Sequence, residues 1–169
     1  MPTPERTTLP AIVTAARALL EERSAAGVTM HAVAERVGVR APSLYKRVRD
    51  RDELLRLVAE DAAADLSARF AATRGTVREL ASAYRAFALT SPASFRLLLD
   101  SESAAEAFRE VADPIIRATE SLDAARVVTA WATGFLTMEL AGAFRLGGDL
   151  DQAYAFGLDT IVAGLDRTG

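Results

Sequence analysis

Cysteine is absent from the 169 residues, which removes disulfides, thiolate metal sites and thiol nucleophiles together. Histidine occurs once, as His31. With no second imidazole or thiolate to share an ion, it reads as a solvated helix residue, and no metal is expected. The adjacent carboxylates Glu21 and Glu22 suit an exposed helix face, and no activated nucleophile stands among convergent polar groups. The chain is expected to be no enzyme and to carry no cofactor. Long apolar runs are also lacking, since none approaches the roughly 20 residues that span a bilayer. Met1 to Pro10 does not show the charged and then apolar pattern of a secretory leader. A cytoplasmic protein with no membrane partner is expected.

Strand signals are scarce too: no stretch alternates apolar and polar residues cleanly, and β-branched residues are scattered. What is present is 50% hydrophobic residues, enough for a sizeable core, in a background of the helix formers Ala, Leu, Arg and Glu. The fold class is all-α, with about nine helices by their apolar periodicity. The first opens near Pro10, presents Ile12, Ala15, Ala16, Leu19 and Leu20 on one face, and closes at Ala25-Ala26-Gly27. Thr29 caps a second helix that stops at Gly38, and a third begins at Ala41-Pro42-Ser43 with Leu44 and Val48 inward. Asp50 caps a fourth that runs to Phe70. Beyond a break at Thr73-Arg74-Gly75, helices are expected over Val77–Thr90, Pro92–Leu99, Ala104–Thr119 with a kink at Pro114, Asp123–Arg145 and Asp151–Leu165. Two domains are expected, 1–50 and 51–169.

Net charge is −3, which alone argues weakly against a polyanionic partner. Between Gly27 and Arg51, however, Arg36, Arg40, Lys46, Arg47, Arg49 and Arg51 face only Glu35 and Asp50. A basic segment beside an acidic body is the asymmetry of a protein with one face for phosphates. The same segment spaces Ala34 four residues before Gly38, with Val39 and Leu44 following. A small residue lets a third helix cross close to the second, glycine permits the positive φ of a tight turn, and the two apolar residues fill the wedge. That spacing predicts a helix-turn-helix, whose third helix lies in the major groove of double-stranded DNA.

Through Thr29, Ala34 to Val39, Ala41-Pro42-Ser43-Leu44-Tyr45 and Arg51-Asp52-Glu53-Leu54-Leu55, the chain resembles the tetracycline-repressor (TetR) family. The resemblance is specific over roughly Leu9 to Val58. It implies that Thr29, Tyr45, Lys46 and Arg51 hold the DNA backbone. It also implies that Arg40, Ala41, Pro42 and Ser43, at the start of the recognition helix, read or approach base edges, with Arg40 suited to guanine. Farther on, Trp131-Ala132-Thr133-Gly134-Phe135, Met138-Glu139 and Gly142-Ala143-Phe144 resemble a Trp/His/Gly-type subgroup of that family. Thr133 stands where those relatives carry histidine, so a ligand contact of that histidine does not transfer.

The family plan makes the last two helices a dimer interface, and residue sizes agree. Small residues at Ala130, Gly134, Thr137 and Ala141 permit close helix approach, and the final helix repeats the device with Gly157 beside Tyr154, Leu158 and Ile161. The interface candidates are Gly134, Ala141, Tyr154, Gly157, Leu158 and Ile161. Phe87, Phe95, Phe108, Trp131, Phe135 and Met138 are candidates to line a pocket for a mostly apolar small molecule, oriented by Arg96 or Thr133; the same residues serve equally as plain core. The expected protein is a homodimeric repressor on a palindromic operator, released by that small molecule. A helical carrier with no DNA role accounts for the aromatics and leaves Thr29, Tyr45, Lys46 and Arg51 without a reason.

Overall fold

The computed structural model describes residues 8–100 and 105–165, without the side chains of 100 and 105–110. Among the described residues there is no strand, and the helices are α1 (Leu9–Gly27), α2 (Met30–Val37), α3 (Ala41–Leu44), α4 (Arg51–Ala71), α5 (Val77–Thr90), α6 (Pro92–Asp100), α7 (Ala105–Thr119), α8 (Leu122–Leu140) and α9 (Leu150–Leu165). Side chains satisfy the orphan amides at several starts. The Thr29 hydroxyl accepts from the Ala32 amide at 3.1 Å, that of Ser121 from Ala124 at 3.3 Å, and Asp50 from Glu53 at 2.8 Å. Backbone donors and the neighbouring Arg49 guanidinium hold the Asp50 carboxyl below its ordinary range.

Two helices, α8 and α1, differ from the periodicity. α8 stops at Leu140 rather than Arg145, because the chain turns left-handed at Gly142. The amides of Ala143 and Gly142 return to the carbonyls of Met138 and Glu139 at 2.9 and 3.0 Å, closing the last turn. α7 continues through Pro114 as one helix. α1 is interrupted at Ser24, which sits at φ 60° and ψ 178°, a region that side chains rarely adopt and that costs on the order of 1–3 kcal/mol. Ser24→Gly is therefore expected to raise stability by roughly 1 kcal/mol once glycine's own entropy is subtracted. A denaturant titration reads it, and a lower midpoint would contradict the strain.

Contacts group the chain into two units that do not divide at residue 50. The first holds α1 to α3, α4 as far as Ala64, and α6. Its core joins Ile12, Ala16, Leu19 and Leu20 to Val28, Val33, Ala34, Leu44, Val48, Leu54 and Val58. α6 is fastened to α1 by Glu21, whose carboxylate accepts from the Ala93 and Ser94 amides at 2.9 Å each and from the Ser94 hydroxyl at 2.6 Å. Glu21 thus caps α6 from another helix, a carboxylate at a positive helix end.

The second unit takes the end of α4 from Asp65, α5, α7 from Arg109, α8 and α9. Leu66, Phe70, Leu80, Tyr84, Phe87, Val111, Ala132, Leu136, Tyr154 and Leu158 are buried in it. The Tyr154 hydroxyl donates to the Ala81 carbonyl at 2.9 Å, and burial raises its phenol above the ordinary range. No helix of the described residues is long and apolar enough to cross a membrane.

Candidate nucleic-acid interface and effector region

Gly38 sits at φ 75° and ψ 34°, and a Cβ there would meet nothing within 4 Å. Its role is therefore backbone conformation and not space. The Val39 amide returns to the Ala34 carbonyl at 2.9 Å, and Ala34 is 1% exposed, as a close crossing of α2 and α3 requires. α3 itself is short: after Leu44 the chain tightens into a turn, with the Arg47 and Val48 amides both on the Leu44 carbonyl at 2.8 and 2.9 Å. Leu44 and Val48 are buried, which turns the intervening Tyr45 and Lys46 outward; both are exposed, as are Arg40, Pro42 and Thr29, while Ala41 and Ser43 are half-buried.

The basic segment is less free than its count suggests. Arg36 binds Glu22 through two contacts of 2.9 and 2.5 Å, and that hydrogen bond holds the Glu22 carboxyl below its usual range. Arg49 pairs with Asp50 at 2.7 Å. Arg51, expected to hold phosphate, is engaged within the chain. Its Nε donates to the Val28 carbonyl at 2.8 Å and its Nη2 to the Ala25 carbonyl at 2.6 Å. A cation on the last carbonyls of α1 complements the negative helix end and ties the start of α4 to it. The side chains of Arg40 and Lys46, by contrast, have no ion pair or hydrogen bond with the described residues. Of the candidates, Thr29, Arg40, Pro42, Tyr45 and Lys46 are exposed, Ala41 and Ser43 are half-buried, and Arg51 is engaged with the end of α1.

The aromatic candidates do not converge on one cavity. Phe95 and Arg96 belong to the first unit, where Phe95 is 1% exposed core. Arg96 lines a cavity of about 280 Å³ with Leu20, Ser24, Ala93 and Leu97. In the second unit Phe87 is fully buried, with the Arg69 guanidinium 5.5 Å over its ring. Trp131 and Phe135 pack against Tyr154 at 5.0 and 5.2 Å between centroids, and Phe135 also meets Phe144 at 4.9 Å. Thr133 hydrogen-bonds the Tyr84 hydroxyl at 3.1 Å, and Met138 is exposed on α8. The Phe108 side chain lies outside the described residues. Helical spacing placed these residues on inward faces but could not tell a filled core from an open one.

The interface candidates divide similarly. Gly134 and Ala141 are exposed, in line with Val127, Ala130 and Met138 on one face of α8. On α9 the outward face is instead Ala153, Phe156, Thr160 and Ala163, with Phe156 75% exposed. Tyr154 and Leu158 are buried within the chain, so their apolar mass serves the protomer's own core. Gly157 lies against the chain's own Trp131: a Cβ there would fall 2.3 Å from the indole. Ile161 is half-buried. The sequence reading did not single out Phe156, because it counted apolar mass from Tyr154 and Leu158, which the chain's own core takes up.

Two family descriptions match this chain: bacterial regulatory proteins of the tetR family over residues 12–58, and the tetracyclin repressor-like C-terminal domain over residues 77–161. HTH-type transcriptional regulator Rv1816 of Mycobacterium tuberculosis is 35% identical over 99 residues, which cover 53% of this chain and 42% of that protein. The match therefore spans less than half of the relative's length. Among solved structures, a TetR variant from Acinetobacter baumannii AYE in complex with minocycline is 25% identical, with a TM-score of 0.71 over 96% of this chain and 98% of that one. A Rhodococcus sp. RHA1 protein of unknown function, 22% identical, reaches a TM-score of 0.79 over 96% and 98%. With both its helix-turn-helix segment and its C-terminal helices matched, the chain belongs to the tetR family of bacterial regulatory proteins.

Proposed function

We propose that this chain is a transcriptional repressor that binds a palindromic operator as a homodimer and is released by a small molecule. The observation that carries the reading is the exposed constellation Arg40, Tyr45 and Lys46 on and beside α3, its two cations unpaired among the described residues beyond the Gly38 turn. Cations without protein partners at a recognition helix suit phosphates and base edges. The exposed small and apolar residues Gly134 and Met138 on α8 and Phe156 on α9 support a two-fold partner. In such a dimer an effector acts by favouring the state whose recognition helices no longer match the groove repeat of about 34 Å.

The test is selection of bound fragments from genomic DNA by the purified protein, followed by binding titrations against salt. Lys46→Ala is expected to weaken selected and unselected DNA alike, preserve the sequence preference, and lower the salt slope by about one unit. Unchanged affinity and slope would remove Lys46 from the interface, and no selected DNA at all would remove the reading.

A further inference from the structure

A cavity of about 490 Å³ opens in the second unit between the end of α4, the turn at Thr73 to Gly75, α5 and α7, a volume within the roughly 300–1,000 Å³ typical of small-molecule sites. Its wall is apolar at Phe70, Leu80 and Pro114 and cationic at Arg74 and Arg117, and no carboxylate among the described residues lines it. The acidic partners stand outside the wall, Glu79 on Arg74 at 2.6 Å and Asp113 on Arg117 at 3.1 Å. Both members of the Arg117 pair are 69% exposed. An ion pair that open to water contributes little, so its guanidinium can exchange carboxylates at small cost. Ser67 adds an independent mark. It lines the same cavity, and its Oγ is buried with no hydrogen-bond partner among the described residues. Such a group is destabilising until something satisfies it, and rotation about its single χ1 would offer the hydroxyl to an oxygen lodged in the cavity.

We propose that this cavity binds a small monocarboxylate with a short apolar body, its carboxylate on Arg117 and Arg74, its tail against Phe70, Leu80 and Pro114. The proposal rests on the effector-responsive reading above and names the class of effector. The exchangeable Arg117 guanidinium selects the head group, since its planar fork matches a carboxylate and no acidic residue among the described residues lines the wall to attract a cation. The apolar side then selects against small hydrophilic acids.

Calorimetric titration of the full chain with octanoate, octanamide and octyltrimethylammonium keeps the tail constant and changes only the head. Octanoate is expected to bind at one site per chain, octanamide about tenfold more weakly, and the cation not at all, since a charge-assisted hydrogen bond is worth about a factor of ten. Arg117→Gln, at an exposed position, is expected to weaken octanoate about tenfold and leave octanamide unchanged; Ser67→Ala should weaken both. Equal binding of octanoate and octanamide, no binding of octanoate, or indifference to Arg117→Gln would overturn the site. A DNA arm separates the two readings. Octanoate that binds in an Arg117-dependent way without loosening selected DNA keeps the site and removes effector release. Absent octanoate binding beside intact DNA selection removes the site and keeps the regulator.

Discussion

Gly157→Ala is expected to destabilise the second unit by about 2–3 kcal/mol through overpacking. A Cβ at this position would lie 2.3 Å from Cζ2 and 3.0 Å from Cε2 of Trp131, whereas carbon atoms in contact prefer about 3.5–4.0 Å. The indole has little room to yield, because Tyr154 stacks at 5.0 Å and Phe135 at 5.9 Å. Either α9 moves off α8 or the aromatic cluster rearranges. Trp131 is the only tryptophan, so its emission should shift along with the fall in denaturant midpoint. The two effects should persist on dilution, since the clash is within one chain. Trp131→Leu should relieve much of the penalty in the double variant, a coupling that independent sites do not show. A variant of unchanged midpoint and emission that only dissociates on dilution would return Gly157 to a subunit interface.

Arg85→Ala is expected to cost about 1.5–3 kcal/mol, the range for hydrogen bonds to a charged partner, here in a half-buried ion pair. Arg85 reaches Glu139 through Nε at 3.0 Å and Nη2 at 2.6 Å, and Asp151 at 2.6 Å. Its side chain is 13% exposed and that of Glu139 is 10% exposed, while Asp151 is 82% exposed. The guanidinium also lies 5.1 Å over the Tyr154 ring. Truncation would leave the half-buried Glu139 carboxylate without its partner. The Asp151 contact decides little, and Asp151→Ala should change stability by about 0–1 kcal/mol. Urea unfolding of Arg85→Ala, Glu139→Ala and the double variant provides the check. The double variant should be clearly more stable than the sum of the singles, because it leaves neither charge buried alone. Additive losses would show that the pair is not coupled.

These two sites mark where the sequence was hard to read. Arg85 and Glu139 lie far apart along the chain on different helices, and nothing in their local spacing joins them. Gly157 was visible as a small residue beside bulky ones, but smallness does not say whether the close neighbour is the chain's own Trp131 or a second copy. The helix-turn-helix was far more legible. Ala34, Gly38, Val39 and Leu44 act within a few residues of one another, and the structure gives each the place its size implied. Arg51 shows the limit even there. Its charge and position suited a phosphate contact, and nothing local announced that its side chain also holds the carbonyls of Ala25 and Val28.

By itself the sequence determined the helices, their caps at Thr29 and Asp50, the break at Thr73 to Gly75, and the left-handed turn at Gly38. Each depends on hydrogen bonds and sterics reaching only a few residues along the chain. Tertiary structure alone decided the capping of α6 by Glu21, the Arg85–Glu139 pair, and the diversion of Arg51 to α1. It also decided that Tyr154 and Leu158 turn inward while Phe156 turns out. The physical reason is that a helical pattern of period 3.6 states which residues share a face. Which neighbour covers that face is set by the packing of helices distant in sequence, where side-chain volume and charge must match across the gap.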